Sequence, residues 1–346
     1  MNEGTIPAMK KSFTLLMVLL SLLLVPCFFL SLFSGSVQLS MNDILAALKG
    51  NTAEAGTASV ILFEIRLPRI ILAMAIGAAL AIAGAAFQGI FANPLADPFV
   101  IGSSSGAALG AGAAISFGFA RRLPFAGAGA VTLCAFAGSL LAVFLAFALS
   151  RSRGCSSAVT LLLAGTALSS FFSALLSLIL VIRDRDLYQV YYWLLGSLNG
   201  STWKNLPVQL AAMAAGSLCI VFCGPALDLV LQGEEEAESL GVAVRRIRFI
   251  TALGASLAAG AAVASAGIIG FVGLIAPHIA RIFSGPVHRR LLPLSAVTGA
   301  LLLLLADMAA RSFGSMELPL GIITSLLGAP FFLWLLCRYN KSGGIS

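Results

Sequence analysis

The chain has 346 residues, of which 59% are hydrophobic and 10% charged, with 21 Lys and Arg against 14 Asp and Glu. Its mean hydropathy is +1.01. A soluble domain carries about one-quarter charged residues, so a soluble globular fold is excluded and an all-α, polytopic membrane protein is indicated. The basic residues sit in short clusters between apolar runs, a pattern that orients membrane helices and argues against nucleic acid as a partner.

In chain order, Lys10 and Lys11 precede SFTLLMVLLSLLLVPCFFLSLF. That run is longer than the apolar part of a signal peptide and further spans follow, so it reads as the first transmembrane helix. Charge-free stretches run 12–42, 70–96, 98–120, 123–150, 154–182, 205–227, 249–280, 291–306 and 318–337. As one helix, 249–280 would be roughly 48 Å long against a hydrocarbon core of about 30 Å. It contains GIIGFVG at 267–273, where the chain is expected to turn back. Two helices there make about ten spans and bring both termini to one face.

The charge count sets that face as cytoplasmic. Twelve of the 21 basic residues then lie inside: Lys10, Lys11, Arg151, Arg153, Arg245, Arg246, Arg248, Arg281, Arg289, Arg290, Arg338 and Lys341. Nine spans would leave only eight inside. Arg66 and Arg69 of EIRLPRIIL (64–72) remain on the outer side, against the rule.

Glycine and alanine crowd the spans, as in IGAALAIAGAA (76–86) and GASLAAGAA (254–262), and let helix backbones approach closely in lipid. Segments 77–89 and 254–270 are alike and run in opposite directions in this topology, which suggests an inverted internal repeat.

Little in the chain can do covalent chemistry. No Gly-Lys dipeptide occurs, so no Walker A phosphate cradle exists and the chain is not expected to be an enzyme. Two histidines, His278 and His288, without clustered carboxylates do not make a metal site. Six cysteines at 27, 134, 155, 219, 223 and 337 have no CxxC spacing and read as small core residues. No cofactor is implied. Asp307 is the acid nearest a membrane interior, where proton coupling is one reading; Arg311 at i+4 favours an interfacial ion pair instead.

The longest cytoplasmic connection is GPALDLVLQGEEEAESLGVAVRRIRF, 224–249. Pro225 is expected to open a short helix, Gly233 to break it, and EEEAESL to form a second helix that Gly241 ends. Leu227, Leu231, Ala237 and Leu240 recur at helix spacing and suggest one packed face on this compact knob. On the same side, ANPLADPFVIGSSSGA (92–107) is held in a non-helical turn by its prolines and Asn93, as a gate or a plain turn would be.

Taken together, RLPRIILAMAIGAALAIAGAAFQGIFANPLADPFVIGSSSGAALGA (66–111), QGEEEAESLGV, GFVGLIAPHIAR (270–281), HRRLLPLSA (288–296) and ADMAARSFGSMELPLGIITSLLGAPFFLWLL (306–336) resemble the FecCD-type permeases. These are membrane subunits of ABC importers for iron-siderophores, haem and cobalamin. The resemblance implies a single permease domain over 1–346 in the bacterial cytoplasmic membrane. It dimerises with a like or related permease around a central path, above two ATPase subunits and below a solute-binding protein.

It further implies that the 225–241 knob couples to the ATPase, above all Gly233, Glu234, Glu235, Glu236, Ala237, Glu238, Ser239, Leu240 and Gly241. Arg66, Arg69 and Arg311 match arginines that dock the binding protein, and are expected to project together from the outer mouth; headgroup anchoring is the plainer alternative. A cytoplasmic gate matches Asn93 and Leu95 with Ala158 and Val159. The last two replace hydroxylated residues of the cobalamin permease, which weakens cobalamin as the cargo. Ferric siderophore is the commonest cargo of the family, with haem, cobalamin and oxyanions behind it, and no residue of this chain decides among them. The rival of another class is an ion-coupled transporter using Asp307.

Overall fold

The computed structural model describes residues 5–35, 52–119, 128–151, 158–312 and 317–341, with the single positions 37, 39, 42, 44 and 47 between the first two ranges. Arg153 and Cys155, used in the readings above, lie outside the described residues, and of Ala158 only the backbone is described. Among these residues all regular structure is helical: α1 (Thr5–Phe33), α2 (Thr52–Ser59), α3 (Leu67–Ile90), α4 (Ser103–Ser116), α5 (Ala128–Arg151), α6 (Ala158–Ile182) and α7 (Leu187–Leu194). There follow α8 (Leu206–Val230), α9 (Glu234–Ser239), α10 (Val244–Ala266), α11 (Val272–Ser284), α12 (His288–Ser312) and α13 (Leu320–Lys341). A π-helical segment, Val60–Arg66, joins α2 to α3 without a break.

Seven described helices are long and apolar enough to cross a membrane. The shorter apolar α11 and α13, with the 14-residue α4, bring the membrane-level elements to ten, so the expected count is met only approximately. The stretch 249–280 is two helices, as its length requires. Gly267 at φ 74° ends α10, and Phe271 at φ 67° begins α11. The last turns of α1 and α12 are bonded together, and α13 starts beside them, with the Leu318 amide donating to Ala310 O at 3.1 Å. The free ends of α1 and α13 therefore point to one face.

Helices α3, α10 and α12 form the centre, with 78%, 72% and 67% of their apolar windows buried, against 11% for α1 and 17% for α6. The centre closes because glycines remove the side chains at the crossings. A Cβ on Gly77 would run into the carbonyl oxygen of Gly299 and the reverse, which fuses α3 to α12. The same reciprocal contact joins Gly106 of α4 to Gly138 of α5.

Gly84, six residues before the end of α3, abuts Gly273 in the first turn of α11. Helices α4 and α11 are about 20 Å long by their residue count, too short to cross alone, and the connections before them enter the bundle. Pro98 packs on Gly273, and the backbone of Ile101 rests on Gly165 of α6. Both segments matched in the sequence thus lead from a long helix through an irregular bend into a short one, α3 to α4 and α10 to α11. Irregular backbone at membrane depth is stable only where protein or a cavity surrounds it.

Candidate functional site

At the end that carries most basic residues, α8 does not break at Pro225. It continues to Val230 and stops in the turn at Leu231 and Gln232. The expected first short helix is therefore the tail of a span; neighbouring helices in a packed bundle can satisfy the groups a proline frees. The second is present as α9, with Glu234, Glu235 and Glu236 in its first turn, where the helix dipole favours negative charge, and Gly241 at φ 84° after its end.

The knob has a small core of its own, in which Ala237 is fully buried among Val230 and Val244. Leu227 is buried too, but Leu231 and Leu240 are 39% and 68% exposed, so the four residues do not share one packed face. The exposed leucines instead put apolar surface among acids at the tip. Glu234 is held by Arg248 of α10, through Nη1 at 3.0 Å and Nη2 at 2.5 Å, which fixes the knob to the next span.

Beside the knob, Asn93 opens the 92–102 connection. Its Oδ1 accepts from the Leu95 amide at 2.9 Å, and Asp97 Oδ1 accepts from the Phe99 amide at 2.8 Å, two Asx turns in succession. Val159 is 63% exposed on α6, and the connection meets that helix further along, through Val100 and Ile101 at Gly165 and through Gly102 at Ser169.

Two contacts here had no sequence signal beyond residue type. Arg281 of α11 donates to Gln88 Oε1 of α3 at 2.8 Å, and Asp228 of α8 accepts from both the backbone N and Nδ1 of His288. A cavity of about 590 Å³ opens among Gln88, Asn93, Asp228, His278 and Arg281. Among the described residues no cluster of His, Cys, Asp and Glu could hold a metal ion.

The opposite end departs most from expectation. Arg66, Arg69 and Arg311 do not project from the surface; they are 5%, 7% and 3% exposed. Arg66 Nη1 donates to the carbonyls of Leu32 at 2.7 Å and Phe33 at 3.0 Å, and Nη2 to that of Val37 at 2.5 Å. Arg311 Nη1 donates to the carbonyls of Ser31 at 3.2 Å and Ser34 at 2.8 Å, and Nη2 to Ser31 Oγ at 2.6 Å. Two cations thus satisfy the open carbonyls at the C-terminal end of α1, where the helix dipole is negative.

Arg69 places Nε and Nη2 each 2.9 Å from Asp307 Oδ1, and Nη1 2.8 Å from both Asn199 Oδ1 and Glu317 Oε2. Arg311 Nε lies 2.9 Å from Asp307 Oδ2, a Coulomb contact without hydrogen-bond alignment. Asp307 is fully buried between two guanidiniums. It is a paired acid, deeper than the interfacial pair its spacing suggested.

Comparison with known proteins gives this arrangement a family. The FecCD transport family model matches residues 22–338. The chain is 46% identical over 81% of its length, and 74% of the relative's, to the cobalamin import system permease protein BtuC of Halobacterium salinarum. It is 39% identical over 89% of its length, and 92% of the relative's, to the hemin transport system permease protein HmuU of Yersinia pestis. A solved structure, described as an inward-facing conformation of a metal-chelate type ABC transporter, superposes with a TM-score of 0.80 at 34% identity over 93% of this chain and 98% of that one. The chain belongs to the FecCD transport family and is a membrane-embedded ABC transporter permease.

Proposed function

We propose that this chain is the permease subunit of a binding-protein-dependent ABC importer in the bacterial cytoplasmic membrane. It pairs with a second permease and stands on two ATPase subunits, which hydrolyse ATP in place of this chain. The observation that carries the reading is the α9 knob. It is tethered to two spans, packed around Ala237, and presents Leu240 among Glu235, Glu236 and Glu238 beside the 92–102 connection. A basic, partly apolar groove on an ATPase fits that tip, and residues 233–241 are its coupling segment. Alternating access then follows from movement of the knob, with Asn93 and Leu95 on the cytoplasmic gate and Ala158 and Val159 at the start of the facing helix.

The solute-binding protein docks on the opposite face. With their donors already engaged, Arg66, Arg69 and Arg311 serve that docking as the frame that holds the outer loops and the end of α1 in place. Glu317, which Arg69 holds, stays partly exposed there.

For the cargo we propose a ferric chelate of the siderophore type. The residues assigned to the gate, Asn93, Leu95, Ala158 and Val159, carry no charge, which suits a bulky chelate that must not be gripped. Cobalamin is the second reading, favoured by the 46% identity to a permease so named. Uptake of iron-55 ferric hydroxamate, iron-55 haem and cobalt-57 cobalamin would be compared in cells that hold the complete transporter, with and without an inactivating change in the ATPase. Accumulation of the ferric hydroxamate that vanishes with the ATPase is expected. Cobalamin or haem uptake in its place would overturn the cargo, and uptake that survives loss of the ATPase would overturn the importer.

A further inference from the structure

The Asp228–His288 contact ties three helix ends at one point. Asp228 lies in the last turn of α8, five residues before Gly233 and the knob. Its Oδ1 accepts from the His288 backbone N at 2.9 Å and stands 2.6 Å from Nδ1 of the same residue. The first amides of a helix have no partner within it, and a carboxylate there is favoured by the dipole. Asp228 therefore caps α12 from another helix.

The His288 ring is 1% exposed and lies over Gly89 in the last turn of α3, where a Cβ would come within 2.8 Å of Nε2. Gly224 of α8 leaves room for the same residue, since a Cβ there would sit 3.3 Å from His288 Cβ. The 92–102 connection starts at this turn of α3, with the amides of Ala92 and Asn93 donating to the carbonyls of Gly89 and Gln88.

The knob is thus joined on one side to α10 by Glu234 and Arg248, and on the other, through the end of α8, to the first turn of α12 and the root of the 92–102 connection. The cavity lined by Asp228, Gly89 and Asn93 gives these ends space to shift. We propose that Asp228 and His288 are positioning residues for coupling: they form the joint that carries displacement of the knob to α3 and the gate. This rests on the ABC permease reading above, and concerns how that movement crosses the subunit.

The test reads gate response and ATP hydrolysis in the same vesicles, so the cargo is not required. A single cysteine replaces Leu95 in a chain whose six natural cysteines are removed, and the chain is assembled with its ATPase in inside-out vesicles. Labelling by a membrane-impermeant maleimide is followed with and without ATP and vanadate.

In the parent, ATP changes the labelling rate. Asp228→Ala and His288→Ala are expected to reduce that change about tenfold, the scale of one charge-assisted hydrogen bond, while complex yield and ATP hydrolysis stay near parental levels. His288→Asn, which keeps a donor towards Asp228, restores most of the response. Gly89→Ala displaces the ring and lowers the response with both partners intact, but has no further effect in the His288→Ala chain.

An unchanged gate response in both alanine variants overturns the joint. So does a loss of hydrolysis and yield in step with the response, or an additive effect of Gly89→Ala. A parent that hydrolyses ATP without any gate response overturns the coupling reading itself, and the joint with it.

Discussion

Asp307 shows how much one residue can hold. Both of its oxygens face guanidiniums, from Arg69 on α3 and from Arg311 one turn along its own helix, and it has no exposed surface. Removing one member of a buried ion pair costs about 3–5 kcal/mol, because the partner keeps its desolvated charge. Asp307→Ala is therefore expected to lower the unfolding temperature in detergent and the yield of monodisperse protein. Glu317→Ala should cost only about 0–1 kcal/mol, since that side chain is partly exposed and Arg69 keeps Asp307 and Asn199. A stable Asp307→Asn protein that had lost only transport would instead revive proton coupling. The same geometry accounts for the arginines on the wrong side of the charge count. They are placed by the C-terminal dipole of α1 and by two acids, which outweigh any preference for the cytoplasmic face.

At the scale of elements, the connection between α3 and α4 is held by two Asx turns, the second through the Phe99 amide donating to Asp97 Oδ1 at 2.8 Å. Asp97→Ala should loosen it and accelerate labelling of a cysteine at Asn93, whereas Asp97→Asn, which keeps the acceptor, should not. The turn itself was legible in NPLADP, because Asn and Asp before prolines have few alternatives. The split of 249–280 was equally legible, since helix rise and membrane thickness leave one helix no room. The knob was half legible: its glycines and acids marked α9, while Pro225 did not end α8 because the bundle absorbs such a break. Helical spacing could not say that Leu231 and Leu240 would face solvent while Leu227 and Ala237 are buried, because that depends on the α8–α10 packing.

For the whole molecule, what the chain order hides is long-range pairing. Arg69 is 238 residues from Asp307, and Asp228 is 60 from His288; nothing in the local pattern joins them. Such separations also impose an order on assembly. During synthesis α3 is made long before α12: Arg66 can meet its α1 carbonyls at once, but Arg69 has neither Asp307 nor Glu317, and α3 lacks the α12 glycine that seats it. Early pairs such as α4 and α5 can close on their own glycines, but α3 must wait for α12. Chains that stop before residue 307 should then be cleared rapidly in pulse-chase labelling, whereas chains that stop after α13 persist. A centre closed by its last acids gives membrane quality control a simple criterion: Arg69 without Asp307 marks an unfinished permease.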